Sequence, residues 1–139
     1  MESLKVIDYL NAHPVVLRPQ MPIEEASEML TRSGQLGAPV LDINGALVGF
    51  LSESDILKKI LETGYYREHC YEVENVMTKQ VLTVKPYDSI VELAQTMLLQ
   101  KPKLYPVIDD EGRVIGIISR SNVLTAIDRH IKSIYRQKA

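Results

Sequence analysis

Laid on itself at an offset of 67 residues, the chain matches without a gap from Val6 against Val73 to Ile60 against Ile127. Pro19 meets Pro86, Ile23 meets Ile90, and Pro39-Val40 meets Pro106-Val107. Asp42, Gly45, Gly49, Ser52 and Ser54 meet Asp109, Gly112, Gly116, Ser119 and Ser121. The identities fall on turn glycines, prolines and aliphatic residues of the kind that fill a core, which is the mark of an internal duplication. One copy of this size buries too little surface to stand comfortably alone, so the two copies are expected to pack together, sheet to sheet.

Each copy reads in the same order. A short apolar segment (Val15-Val16-Leu17, then Val81-Leu82-Thr83-Val84) ends at a basic residue and a proline. A helix follows, with Ile23, Ala26, Met29 and Leu30 in one copy and Ile90, Leu93, Ala94, Met97 and Leu98 in the other near helical spacing. Pro22 suits the first turn of the first helix, Asp88 is placed to cap the second, and Gly34 and Lys101-Pro102 mark their ends. Two strands come next, Ala38 to Leu41 and Leu47 to Leu51, then Tyr105 to Ile108 and Val114 to Ile118. Asn44-Gly45 is a strong hairpin signal, because both residues tolerate positive φ. A second helix closes each copy, from about Ser54 to Leu61 and from Ser121 to Arg136. The fold class is therefore α+β, with residues 1–66 as the first repeat and 67–139 as the second. Thr63 to Cys70 reads as a connector whose Tyr65 and Tyr66 pack against the body.

The second strand of each copy runs straight into its closing helix, through Ser52-Glu53-Ser54-Asp55 and Ser119-Arg120-Ser121-Asn122. With Ser52 as N-cap, Asp55 falls at the third helical position and closes a capping box, a reading that needs no ligand. The same geometry also suits recognition. Free N–H groups and a hydroxyl at a helix start favour an anion, and an ionised Asp can accept both hydrogen bonds of a ribose diol. Asn122 is expected to accept through its carbonyl without charge assistance, so the two copies should differ in affinity.

A strand ending Gly-aliphatic-aliphatic-Ser-x-x-Asp before a helix, placed after Pro-Val and a glycine turn and occurring twice, resembles a CBS-domain pair, or Bateman module. The resemblance runs from about Val6 to Ile131. Val73-Glu74-Asn75-Val76-Met77-Thr78 is similar to the lead-in of such domains, with Asn75 in place of the usual Asp; Val6-Ile7-Asp8-Tyr9-Leu10-Asn11 keeps the Asp but ends on Asn11 instead of Thr. The resemblance implies β-α-β-β-α units in pseudo-twofold pairing, with clefts that take AMP, ADP, ATP or S-adenosylmethionine, and disc-like homodimers. It carries ribose binding onto Asp55 and Asn122, and phosphate or ribose contacts onto Ser52 and Ser119. Asn11 and Thr78 match a polar position near the ligand, and the backbone at Gly37-Ala38 and Leu104-Tyr105 matches the segment beside the purine. Arg120, standing where the first copy has Glu53, is expected to favour phosphates.

The rest of the chain bounds the alternatives. Lys and Arg number 16 against 18 Asp and Glu, so no global charge draws nucleic acid or an anionic membrane. The single Cys70 excludes an intrachain disulfide, and His13, His69 and His130 lack metal-ligand spacing. Cys70 beside His69 is not by adjacency a catalytic pair. Arg18, Lys85, Lys101 and Lys103 read as solvated charges, with phosphate contact as the second reading. The last helix, with Ile127, Ile131, Ile134 and Tyr135 in a stripe among Arg129, His130, Lys132, Arg136 and Lys138, reads as a docked helix or dimer contact. No window approaches a membrane span, and no nucleophile elbow or phosphate loop occurs. The expectation is a cytoplasmic, non-catalytic sensor of an adenosine-type ligand, acting in trans on an effector protein, because the repeat leaves no room for an effector domain. The alternative is a structural or interaction module with degenerate clefts.

Overall fold

Both copies build the same elements in the computed structural model, which describes residues 4–63, 71–100 and 102–138. The first contains α1 (Ile23–Ser33), β1 (Gly37–Leu41), β2 (Leu47–Ser52) and α2 (Glu53–Thr63). The second opens with a short α3 (Val73–Val76), then α4 (Ile90–Leu99), β3 (Leu104–Ile108), β4 (Val114–Ser119) and α5 (Arg120–Lys138). A single 3-10 turn, Val6–Asp8, precedes the first copy where α3 precedes the second. The packing expected of Tyr65 and Tyr66, and the His69-Cys70 pair, lie outside the described residues.

Helix ends follow local chemistry, with two departures from expectation. In α1, Ile23, Ala26 and Leu30 are buried at helical spacing, and Gly34 ends the helix at φ 71°, a left-handed conformation that glycine adopts without steric cost. Pro22 stands just before the first turn instead of within it, extended at ψ 145°. Ser89, not Asp88, caps α4, its Oγ accepting from the Glu92 N–H at 3.3 Å. Asp88 is used one step earlier, where its Oδ2 accepts from the Lys85 N–H at 2.9 Å and closes the preceding turn. The hairpin loop also differs. Only Gly45 has positive φ (83°), Asn44 does not, and the Gly45 N–H closes onto the Asp42 carbonyl at 3.0 Å. This is the longer loop in which one left-handed glycine makes a bulge. Asp42 supplies the missing acceptors, its Oδ1 taking the Asn44 and Ala46 N–H groups at 2.8 and 2.9 Å.

Each sheet is a two-stranded hairpin, β1-β2 or β3-β4, extended on both sides by single bridges. The first apolar segments make only one parallel bridge each, Leu17 to Val40 and Val84 to Val107, so they do not become full strands. Pro39 is part of the reason, since it has no N–H to offer the neighbouring segment. Gln35 compensates: its Nε2 donates to the Val15 carbonyl at 3.0 Å while its Oε1 accepts from the Val15 N–H at 3.1 Å.

On the other side of each hairpin the lead-ins are exchanged. Asn11 pairs with Ile117 of the second copy, through N–H···O bonds of 2.8 and 3.0 Å. Thr78 pairs with Phe50 of the first copy at 2.8 and 2.9 Å. The cores follow the same exchange. Val6 is buried with Ile90, Leu93, Val107 and Ile118, whereas Val73 is buried with Leu17, Leu30, Val40 and Leu51. Two compact units result. Pro14–Leu82 with Gly112–Val114 form the first-repeat unit, and the residues up to His13, Thr83–Glu111 and the residues from Ile115 on form the second-repeat unit. Glycine makes the close approach possible. A Cβ on Gly116 would lie 2.5 Å from the Asn11 carbonyl oxygen, and one on Gly49 would strike the Met77 side chain.

Tyr105, in the position where the first copy has Ala38, is 1% exposed within the second-repeat core. Among the described residues its hydroxyl has no hydrogen-bond partner, and burial raises its pKa above the ordinary tyrosine value. Two outcomes are expected from urea unfolding. Gly116→Ala costs about 2 kcal/mol, because the methyl meets backbone rather than a movable side chain. Tyr105→Phe gains about 1 kcal/mol, because it removes a buried donor that has no acceptor. The folded protein also holds the Tyr105 proton to higher pH than the unfolded chain does. That contribution is complete below about pH 10 and is lost as pH rises through the folded value. The wild type therefore weakens more steeply above that pH than Tyr105→Phe.

Candidate functional site

The strand–helix junctions position the polar residues singled out in the sequence. In the first-repeat unit β2 ends at Ser52 and α2 begins at once with Glu53, so no loop intervenes. Ser52 and Asp55 form the reciprocal box: the Ser52 N–H donates to Asp55 Oδ2 at 3.0 Å, and the Asp55 N–H donates to Ser52 Oγ at 3.1 Å. The antiparallel register sets Gly37 opposite Ser52 and Ala38 opposite Leu51. The Glu53 N–H is also spent, on the Leu36 carbonyl at 2.9 Å. Two of the first three N–H groups of α2 are thus occupied within the protein, which leaves less for an anion than the sequence suggests.

Asp55 keeps something in reserve. Its Oδ1 carries no hydrogen bond among the described residues, and the side chain is only partly buried. Thr78, brought beside Phe50 by the exchanged lead-in, is exposed, and its hydroxyl is unengaged among the described residues. The first-repeat unit therefore gathers Gly37, Ala38, Ser52, Asp55 and Thr78 at one end of its hairpin. A carboxylate oxygen and a hydroxyl remain open there.

The second-repeat unit repeats the frame with different chemistry. The Ser119 N–H donates to Asn122 Oδ1 at 2.9 Å, the Ser119 hydroxyl donates to the same oxygen at 3.0 Å, and the Asn122 N–H returns to Ser119 Oγ at 3.2 Å. A carbonyl oxygen has two lone pairs, and both are taken. The acceptor expected of Asn122 is thus engaged within its own cap. Asn11 falls in this unit and not with Asp55, and its Oδ1 accepts from the His13 N–H at 3.0 Å. Both departures from the family pattern at ligand-matched positions, Asn11 and Asn122, thus share one unit. Leu104 and Tyr105 present only backbone here, since both side chains are buried. Arg120 is exposed, makes no ion pair among the described residues, and its N–H donates to the Lys103 carbonyl at 3.0 Å.

Arg18 and Lys85 have structural work. Arg18 Nη1 donates to the Asp42 carbonyl at 2.6 Å and Lys85 Nζ to the Asp109 carbonyl at 3.0 Å, so each pins the turn of its own hairpin. Lys85 also lies 3.6 Å from Asp110, which accepts from the Tyr87 hydroxyl at 2.9 Å. Gln35, whose Nε2 also donates to the Gly37 carbonyl at 2.8 Å, carries no mark in the sequence, because Pro102 takes its place in the second copy. Among the described residues no cluster of His, Cys, Asp and Glu could hold a metal ion, and no helix is long and apolar enough to cross a membrane.

Comparison with known proteins agrees with this architecture. The family model for the CBS domain matches twice, at residues 6–62 and 73–129. An uncharacterized protein of Methanocaldococcus jannaschii, MJ1426, is 31% identical over 155 residues, covering 90% of this chain and 92% of its own. Other relatives are longer: the chain spans 23% of a homoserine O-acetyltransferase of Methanococcoides burtonii, to which it is 30% identical. Among solved structures, CBSX2 of Arabidopsis thaliana in complex with AMP superposes with a TM-score of 0.76 at 30% identity, covering 91% of this chain and 97% of that one. The CBS domain pair of MJ0100, in complex with 5′-methylthioadenosine and S-adenosyl-L-methionine, superposes with a TM-score of 0.78 at 26% identity, covering 88% and 98%. With two family matches over most of its length and both copies folded as α-β-β-α units flanked by short bridges, this chain belongs to the CBS domain family as a tandem pair.

Proposed function

We propose that this chain is a non-catalytic regulatory module that binds an adenosine nucleotide or related adenosyl ligand and acts in trans on an effector protein in the cytoplasm. The observation that carries the reading is the open carboxylate oxygen of Asp55. It stands beside Ser52, Gly37-Ala38 and the exchanged Thr78 in a family whose solved members include complexes with AMP, 5′-methylthioadenosine and S-adenosylmethionine. An ionised Asp accepts the two hydroxyls of a ribose with charge assistance. Ser52 and Thr78 contribute hydroxyls, and the backbone at Gly37-Ala38 borders the base. Asn11, Leu104, Tyr105, Ser119, Arg120 and Asn122 form the corresponding set in the second-repeat unit. As units of duplication we retain residues 1–66 and 67–139, and we take the active form to be a homodimer.

The second reading, an interaction module whose ligand sites have degenerated, is favoured by Asn122, whose carbonyl oxygen takes two hydrogen bonds within its own cap. Calorimetry separates the two. Protein checked for co-purified ligand is expected to bind at least one of AMP, ADP, ATP and S-adenosylmethionine at micromolar or weaker affinity. Asp55→Ala is expected to weaken that binding by about 10- to 100-fold, the equivalent of one or two charge-assisted hydrogen bonds. Failure of all four ligands at millimolar concentration favours the interaction module. In sedimentation the protein is expected to run as a dimer, and a monomer at tens of micromolar overturns that assignment.

A further inference from the structure

We propose that the Gln35 carboxamide is an internal stand-in for a nucleobase: it occupies the peptide edge of Val15, and the base of an incoming ligand must displace it. The inference rests on the ligand-sensing reading of the first-repeat unit and names a side chain that limits what the base contributes to binding.

The device begins with a missing donor. Leu17 lies parallel to β1, its N–H donating to the Pro39 carbonyl and its carbonyl accepting from the Leu41 N–H, both at 2.9 Å. Continued by one step, that ladder needs an N–H from residue 39 for the Val15 carbonyl, and Pro39 has none. The Gln35 amide takes over the step. Its Nε2 donates to the Val15 carbonyl at 3.0 Å and to the Gly37 carbonyl at 2.8 Å, and its Oε1 accepts from the Val15 N–H at 3.1 Å. The two carbonyls fix which end of the amide is nitrogen, because only that end donates.

A donor and an acceptor side by side, set against the N–H and C=O of one residue, are also what adenine offers. Its amino group lies next to a ring nitrogen that accepts, the pattern that a carboxamide matches with two hydrogen bonds. The edge belongs to the candidate site, since Gly37, whose carbonyl Gln35 holds, stands opposite Ser52. The frame does not need the side chain. The second copy builds the same ladder, Val84 N–H to Pro106 carbonyl at 3.0 Å and Ile108 N–H to Val84 carbonyl at 2.9 Å, with Pro102 in the place of Gln35. The backbone around Gln35 is anchored separately. Its own N–H donates to Ser33 Oγ at 3.1 Å, and the Leu36 carbonyl accepts from the Glu53 N–H at 2.9 Å. The side chain, only partly buried, is therefore free to rotate away while the chain around it stays in place. A base that displaces it exchanges hydrogen bonds like for like and gains little. With the amide removed, the Val15 edge faces water, and the same two bonds become a net gain of about tenfold in affinity.

Titration of the full chain with AMP, followed in ¹⁵N spectra, tests the proposal, and the Ser52 amide reads binding in the first-repeat unit alone. IMP is the control, since a carbonyl oxygen replaces its amino group and leaves no donor there. Gln35→Ala, and Gln35→Met, which keeps the bulk without the amide, are each expected to bind AMP about tenfold tighter than the wild type and IMP within about twofold. The Gln35 side-chain NH₂ signals of the wild type are expected to exchange with water faster in the AMP complex than in the free protein. AMP binding that is unchanged or weaker in both variants, with spectra showing them folded, overturns the inference alone. An equal gain for IMP, or NH₂ exchange that AMP leaves unaltered, also overturns it. Absence of any Ser52 shift with either nucleotide, in the wild type and both variants, overturns the sensing reading and this inference together.

Discussion

The structure depends on a pair of two-bond bridges between segments far apart in the chain. Asn11 exchanges both of its backbone hydrogen bonds with Ile117, and Thr78 exchanges both of its own with Phe50. Each bridge covers the outer strand of a hairpin that would otherwise present unpaired N–H and C=O groups at an open edge. It also brings in an apolar residue, Val6 or Val73, that is fully buried in the core it joins. The absence of a side chain at Gly116 and Gly49 lets the bridging backbone approach that closely. The polar residue ending each lead-in is then delivered two positions before a cap, Thr78 toward Ser52 and Asn11 toward Ser119. The chemistry of each cap is thus assembled from both copies of the repeat.

That exchange is the part of the fold the sequence conceals. Hairpins, helix order, the turn glycines and the caps at Ser52 and Ser119 are local matters, written in periodicity and in residues whose backbone preferences are strong. Which hairpin a lead-in joins is different. Both copies offer the same pattern, so either pairing satisfies register and burial. Loop closure cost grows only slowly with length, so nearness along the chain does not decide between them. Assigning Asn11 to the first copy by sequence and to the second by structure changes its meaning, because it then stands with Asn122 and leaves Thr78 with Asp55.

Smaller differences have a common cause in competition among neighbouring acceptors and donors. Asp88 and Ser89 are both good caps, and Ser89 caps because Asp88 closes the turn at Lys85. Arg18 and Lys85 have the charge to meet a phosphate, and each finds a turn carbonyl of its own hairpin. Asn122 has the acceptor that its residue type promises, and Ser119 exhausts it. Residue type sets capacity in each case, while geometry decides how much of that capacity is left. The same accounting sets Asp55 apart: a carboxylate has more acceptor positions than one capping bond consumes.

The open oxygen of Asp55 does not make the first-repeat unit fragile. A carboxylate in the first turn of a helix is favoured by the partial positive charge there, and Glu53 and Asp55 both occupy that turn of α2. Asp55 also retains its cap to Ser52, typically worth about 1 kcal/mol, whether or not the second oxygen is engaged. The cap and the charge–dipole contact are both made inside the protein, so the stability they give the first turn of α2 does not wait on a partner for the open oxygen. The cap at Asn122 reaches the same end with one oxygen. There the single carbonyl oxygen takes both the Ser119 N–H and the Ser119 hydroxyl, so the neutral side chain is held to its cap by two bonds where the carboxylate uses one oxygen.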